Sequence, residues 1–139
     1  MRNLRILGVI SALVLLVPQL AVAENVSGAD VMICSPIEAT VCSVDLGCEI
    51  GAPWLWGIPE FLEIDLKAKK LSTTAASGEN RETPITSLQR SDGQIFLQGV
   101  ERGRAFSFVI GEETGLLTAA VARAEITISV FGACTPLFK

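Results

Sequence analysis

From Phe61 onward the chain keeps a period of two. Leu62, Ile64, Leu66 and Ala68 alternate with Glu63, Asp65 and Lys67, the pattern of a strand with one wet face. Leu71, Thr73 and Ala75 repeat it more faintly, and Ser77-Gly78-Glu79-Asn80 reads as a loop. Pro84 opens the next run, Ile85 to Gln89, where proline fits a first strand position or an edge. Ser91-Asp92-Gly93 is a hairpin signal, since Asp-Gly supplies the positive φ that a tight turn requires. Ile95, Leu97 and Gly99 follow. Glu101-Arg102-Gly103 then turns the chain into Ala105 to Ile110. Gly111 to Gly115 is a loop, Leu116 to Val121 a short strand, and Ile126, Ile128 and Val130 line one face of the last strand.

This pattern predicts roughly six or seven short strands at spacings of about ten residues, the signature of a sandwich or barrel. The expected fold is all-β: a small antiparallel meander, stapled by disulfides, with an irregular or short helical N-terminal segment. Asp30 to Val41 is that segment, and Pro36 would sit in its first helical turn.

The first residues read as an export signal. Arg2 and Arg5 precede an apolar run from Leu7 to Val17, too short for a membrane span, and Ala21-Val22-Ala23 is a small-x-small cleavage pattern. Residues 1–23 are expected to leave as a signal peptide, and 24–139 to form a single β domain that is periplasmic or secreted. No cysteine stands at the junction for a lipid anchor, and no later stretch is long enough to span a bilayer. Cleavage removes two of the 11 basic residues, leaving nine against 15 acidic ones, and 9 − 15 gives a formal net charge of −6. Such a chain lacks the basic footprint of a nucleic-acid binder. Asn25-Val26-Ser27 fits a glycosylation sequon, but it lies at the mature terminus, where disorder is expected.

Four cysteines in an exported chain imply disulfides, for which three connectivities exist. Ser43 to Gly47 forms a turn-like insert that lets Cys42 meet Cys48. Cys34 and Cys134 then remain, one near each end of the domain. No metal site is expected, because the chain has no histidine and no paired CxxC knuckles.

The absence of histidine and tyrosine removes the usual general bases and phenolic acids, and the cysteines are expected to be oxidised. Glu63 and Asp65, spaced by two, are the remaining carboxylate pair, but they fall on the wet face. No enzyme activity and no cofactor are expected. Two stretches are candidates for binding. "GAPWLWGIPEF" holds both tryptophans, Trp54 and Trp56, between Pro53 and Pro59. It is either a binding loop or a plug for an open end of the sheet. Arg102 and Arg104, which flank Gly103, are candidates for an anion site, although the hairpin turn is their first role.

The stretches "IPEFLEIDL", "DGQIFLQGVERGRAFSFVIGEETGLLT" and "VFGACTP" resemble a group of small periplasmic proteins of proteobacteria with no assigned activity. They are sheet and turn motifs, so the resemblance implies a shared fold and export and carries no functional residue. Two functions fit these readings: a non-catalytic interaction module of the cell envelope, partnered by an envelope protein or small ligand, or a small β-barrel carrier of an apolar ligand.

The leader makes a direct prediction. The intact mass of the exported protein should match a chain that begins at Glu24, and recovery of the full-length chain from membranes would contradict it.

Overall fold

The period-two runs become strands, and every pairing among the described residues is antiparallel. The computed structural model describes residues 24–137; the expected signal peptide lies outside them. Ten strands are formed: β1 (Val31–Ser43), β2 (Gly47–Gly51), β3 (Leu62–Asp65), β4 (Lys70–Thr73), β5 (Glu82–Pro84), β6 (Ser87–Ser91), β7 (Gln94–Glu101), β8 (Arg104–Gly111), β9 (Leu116–Arg123) and β10 (Ile126–Pro136). They make one sheet in the order β5-β4-β3-β1-β10-β9-β8-β7-β6, with β2 paired to β1 as a branch. The sheet curls into a half-barrel. Its margins, β5 and β6, are consecutive in sequence and joined by only Ile85 and Thr86.

The two glycine hairpins have the geometry their sequences require. Asp92 and Gly93 stand at φ 52° and 71° between the paired Ser91 and Gln94. Arg102 and Gly103 stand at φ 47° and 75° between Glu101 and Arg104. Positive φ at both central positions matches the right-handed twist of the flanking strands. Asn, Asp and Gly adopt this conformation most readily; Arg102 does so because the hairpin leaves it no alternative.

The segment from Asp30 to Val41 is strand, not helix. β1 pairs with β10 along its length, and on its other side with β3 and then β2. Pro36 is tolerated because a bulge interrupts the β1–β10 register between Pro36 and Glu38. The bulge also exchanges the faces of the strand. Met32 and Cys34 point inward before it; Ala39 points inward after it. Cys34 and Cys42 are an even number of residues apart, yet they therefore lie on opposite faces.

Both disulfides follow from that register. Cys34 stands directly opposite Cys134 inside the sheet, and Cys42 opposite Cys48 on the outside. The first bond is buried and the second partly exposed. They close sequence separations of 100 and 6 residues.

Met32, Ile64, Ile95, Leu97 and Ile110 are fully buried and belong to a single core cluster. Val26 joins them: its N–H donates to the Glu112 carbonyl, so the segment around Asn25–Ser27 is docked against the core and not disordered as its sequence position implied. The strand expected to reach Ala68 stops at Asp65, whose Oδ1 accepts the Ala68 N–H and turns the chain into β4. The run expected from Pro84 to Gln89 divides at Ile85–Thr86, where the sheet passes from one margin to the other. Thr86 N–H and Oγ1 both donate to the Gln98 carbonyl, extending the β6–β7 ladder into that corner. Gly99 makes the approach possible. A Cβ there would run into the Phe106 ring and lie 2.7 Å from the Pro84 carbonyl oxygen. Lys70 Nζ lies 2.6 Å from Glu82 Oε1 across β4 and β5, and this hydrogen bond holds the Lys70 pKa above its ordinary value.

The disulfides predict unequal contributions. In the chain-entropy model, removing Cys34–Cys134 as a double alanine variant should cost about 4–5 kcal/mol, and removing Cys42–Cys48 about 2 kcal/mol. Urea denaturation of the two variants tests the ranking. Mild reductant followed by alkylation and peptide mapping should label Cys42 and Cys48 first, because they are the accessible pair.

Candidate functional site

The strands leave one end of the half-barrel open. The inward residues of β8 are Arg104, Phe106, Phe108 and Ile110; those of β9 are Leu117, Ala119, Val121 and Arg123. Each series runs from buried apolar residues to an arginine at the same end. The turns at that end are tied together, since the Val44 N–H donates to the Glu125 carbonyl.

The tryptophan segment crosses the opening. Pro53–Trp56 forms a single 3₁₀ turn, closed by Gly57 at φ 68° and by the Gly57 and Ile58 N–H groups bonding to the Trp54 and Pro53 carbonyls. Residues two apart on such a turn diverge, whereas in a strand they would share a face. Trp54 accordingly faces out and is 70% exposed, while Trp56 packs against the core and over Gly51. Leu55 is also exposed, as are Val44 and Leu46 in the β1–β2 turn. The segment is a surface loop and a plug at once, with one tryptophan in each role.

Under this loop lies an apolar hollow of about 120 Å³, lined by Trp56, Ile58, Leu62, Leu71, Phe106, Phe108, Leu117 and Val130 among others. Phe106 and Phe108 meet at a centroid distance of 5.5 Å and an interplanar angle of 60°. A second hollow of about 210 Å³ lies further toward the open end, between Val41, Trp56, Arg104, Val121, Arg123, Ile126 and Ile128. Trp56, Arg104, Val121 and Ile128 border both.

The polar residues that line the inner hollow are Ser72, Thr73, the buried Thr83, Arg81, Glu101 and Arg104. Arg81 Nε lies 2.8 Å from Glu79 Oε2, an ionic contact whose N–H is not aligned for a hydrogen bond. Arg104 Nη2 lies 3.8 Å from Glu101 Oε2, a looser pair. The Arg123 side chain has no ion pair or hydrogen bond among the described residues.

The two arginines around Gly103 therefore have different positions. Arg102 is exposed at the turn and borders neither hollow; Arg104 borders both. Asp65 caps its turn through Oδ1, and Glu63, two residues before it, lies on the opposite face from Ile64. Among the described residues no group of three or more metal-ligating side chains converges. No described helix is long and apolar enough to cross a membrane. Arg81 and Arg123 were not singled out by sequence. Arg123 was findable, because it continues the inward phase of Leu117, Ala119 and Val121; Arg81, in a loop, carried no such signal. No family model, no curated protein and no solved structure matches the chain.

The loop geometry predicts unequal quenching. In single-tryptophan variants (Trp54→Phe and Trp56→Phe), iodide should quench the emission of Trp54 strongly and that of Trp56 weakly. Equal quenching would place both side chains in the same environment and contradict the 3₁₀ turn.

Proposed function

We propose that this chain is an exported, non-catalytic binding module of the cell envelope, periplasmic or secreted, and that it holds a small apolar ligand in the hollow of the half-barrel. The observation that carries this reading is the paired hollow beneath Trp56, walled by aromatic and aliphatic side chains and edged by a few polar ones. That composition is typical of small-molecule sites. A leader pattern at residues 1–23, two disulfides and the resemblance to small periplasmic proteins support the export half. The lack of histidine and tyrosine supports the non-catalytic half.

A second reading rests on a different observation. Trp54 and Leu55 project from the outer side of the same loop, where they are 70% and 66% exposed. Such a pair suits docking to an envelope protein, since exposed tryptophan is enriched at binding hot spots.

A neutral naphthylamine dye tests the first reading. Its fluorescence should rise on titration with the mature protein and saturate at one dye per chain. Saturating ligand should also raise the melting temperature; at 100 times Kd the linkage amounts to about 2.7 kcal/mol. No fluorescence gain and no thermal shift would overturn the reading. Capture of a defined envelope protein that is lost in Trp54→Ala, with dye binding intact, would assign the outer face to docking.

A further inference from the structure

We infer that the ligand is an amphiphile with a single anionic head, carboxylate or phosphate, held between Arg104 and Arg123, with its chain running inward past Trp56. The inference rests on the apolar-ligand reading above and specifies the chemistry of the same site.

Register places the two arginines together. Ala105 pairs with Ala122, so positions 104 and 123 are the next pair outward on β8 and β9. Both share the inward phase of their strands and border the same hollow of about 210 Å³. Like charges directly across a strand pair are unfavourable. Here they are poorly neutralised: Glu101 is 3.8 Å from Arg104, and Arg123 has no partner among the described residues. Three other cations of the domain are better matched, whereas Lys67, Lys69 and Arg102 are exposed in turns and border neither hollow. Lys70 pairs with Glu82 at 2.6 Å, Arg81 with Glu79 at 2.8 Å, and Arg90 with Glu112 at 3.0 Å. In a domain rich in acid, the half-buried Arg104 and the exposed Arg123, with one loose counter-ion between them, make the rim of this hollow positive.

Guanidinium groups present planar pairs of donors that match the oxygens of carboxylate and phosphate. A free inorganic anion would satisfy them but would leave the opposite wall wet. That wall is Val41, Val121, Ile126, Ile128 and Trp56. The inner hollow continues it with Phe106 and Phe108. A head group with an attached hydrocarbon chain satisfies the arginines and the apolar wall together.

Competition against the bound dye tests the inference with dodecanoate, dodecyl phosphate, dodecanol and inorganic phosphate. Either anionic amphiphile should displace the dye at a concentration about tenfold below that of dodecanol, a modest demand on charge-assisted hydrogen bonds. The more potent of the two identifies the head group. Arg104→Gln combined with Arg123→Gln should abolish the preference, so that dodecanoate and dodecyl phosphate displace the dye no better than dodecanol; Arg102→Gln should leave every value unchanged. Arg123→Gln alone, at an exposed position, should reduce the preference at least threefold and serves if the double variant does not fold. Equal potency of dodecanoate, dodecyl phosphate and dodecanol, or a preference that survives the double variant, overturns the head-group assignment while leaving the apolar hollow in place. Displacement by inorganic phosphate as potent as by dodecyl phosphate overturns the amphiphile. Failure of the unaltered protein to bind dye defeats the apolar reading itself.

Discussion

A sheet with one apolar face and, among the described residues, no α-helix to cover it has only itself to pack against. That constraint organises this protein. Most strands turn Leu, Ile, Val or Phe to the same side, and the free energy of removing that surface from water is gained only if the sheet curls. The strand twist supplies the direction of curling. The curl brings the first and last strands of the sheet together at Ile85 and Thr86. It requires a residue without a side chain at Gly99, where the Pro84 backbone and the Phe106 ring approach. The docking of Val26 belongs to the same solution, since it fills the interior near Glu112.

β1 is the strand on which the closure turns. It is the longest, at 13 residues, and it pairs with β10, β3 and β2. Its bulge after Pro36 moves the inward phase by one residue, so one strand supplies a buried cysteine to β10 and an outer cysteine to β2. One bond then fixes the two ends of the domain to each other, and the other fixes a local hairpin at the open end. The difference in their loop lengths, rather than any difference in chemistry, sets their different weights in stability.

Curling of a short sheet cannot close both ends with strands alone. The opening that remains is crossed by Pro53–Pro59, and its 3₁₀ turn divides two tryptophans spaced by two between interior and solvent. The hollow beneath it is therefore a consequence of the architecture, while the two arginines at its margin are not. Arg104 and Arg123 occupy inward positions where the rest of each strand places apolar residues. A residue that breaks its own strand's pattern at a cavity mouth is where a functional or strained site is expected.

The all-β class, the two glycine hairpins and the identity of most inward residues were legible in the sequence, because the period of two and the Asp-Gly and Arg-Gly turns are local. The cysteine pairing was legible from spacing for the same reason: one pair encloses a short turn and the other is what remains. Three features were not. Asp30 to Val41 has no clean alternation because a bulge interrupts it, so its strand character appears only once β10, β3 and β2 pair with it. The separate roles of Trp54 and Trp56 depend on whether this segment forms a 3₁₀ turn or a strand, which the prolines and glycines leave open. The meeting of Arg104 with Arg123 requires the β8–β9 register, which joins residues 19 positions apart in sequence. Sequence by itself determined which face of each strand is apolar. Only the tertiary structure decided how far the sheet curls, where it stays open and which charges meet there, because these depend on contacts between residues distant along the chain.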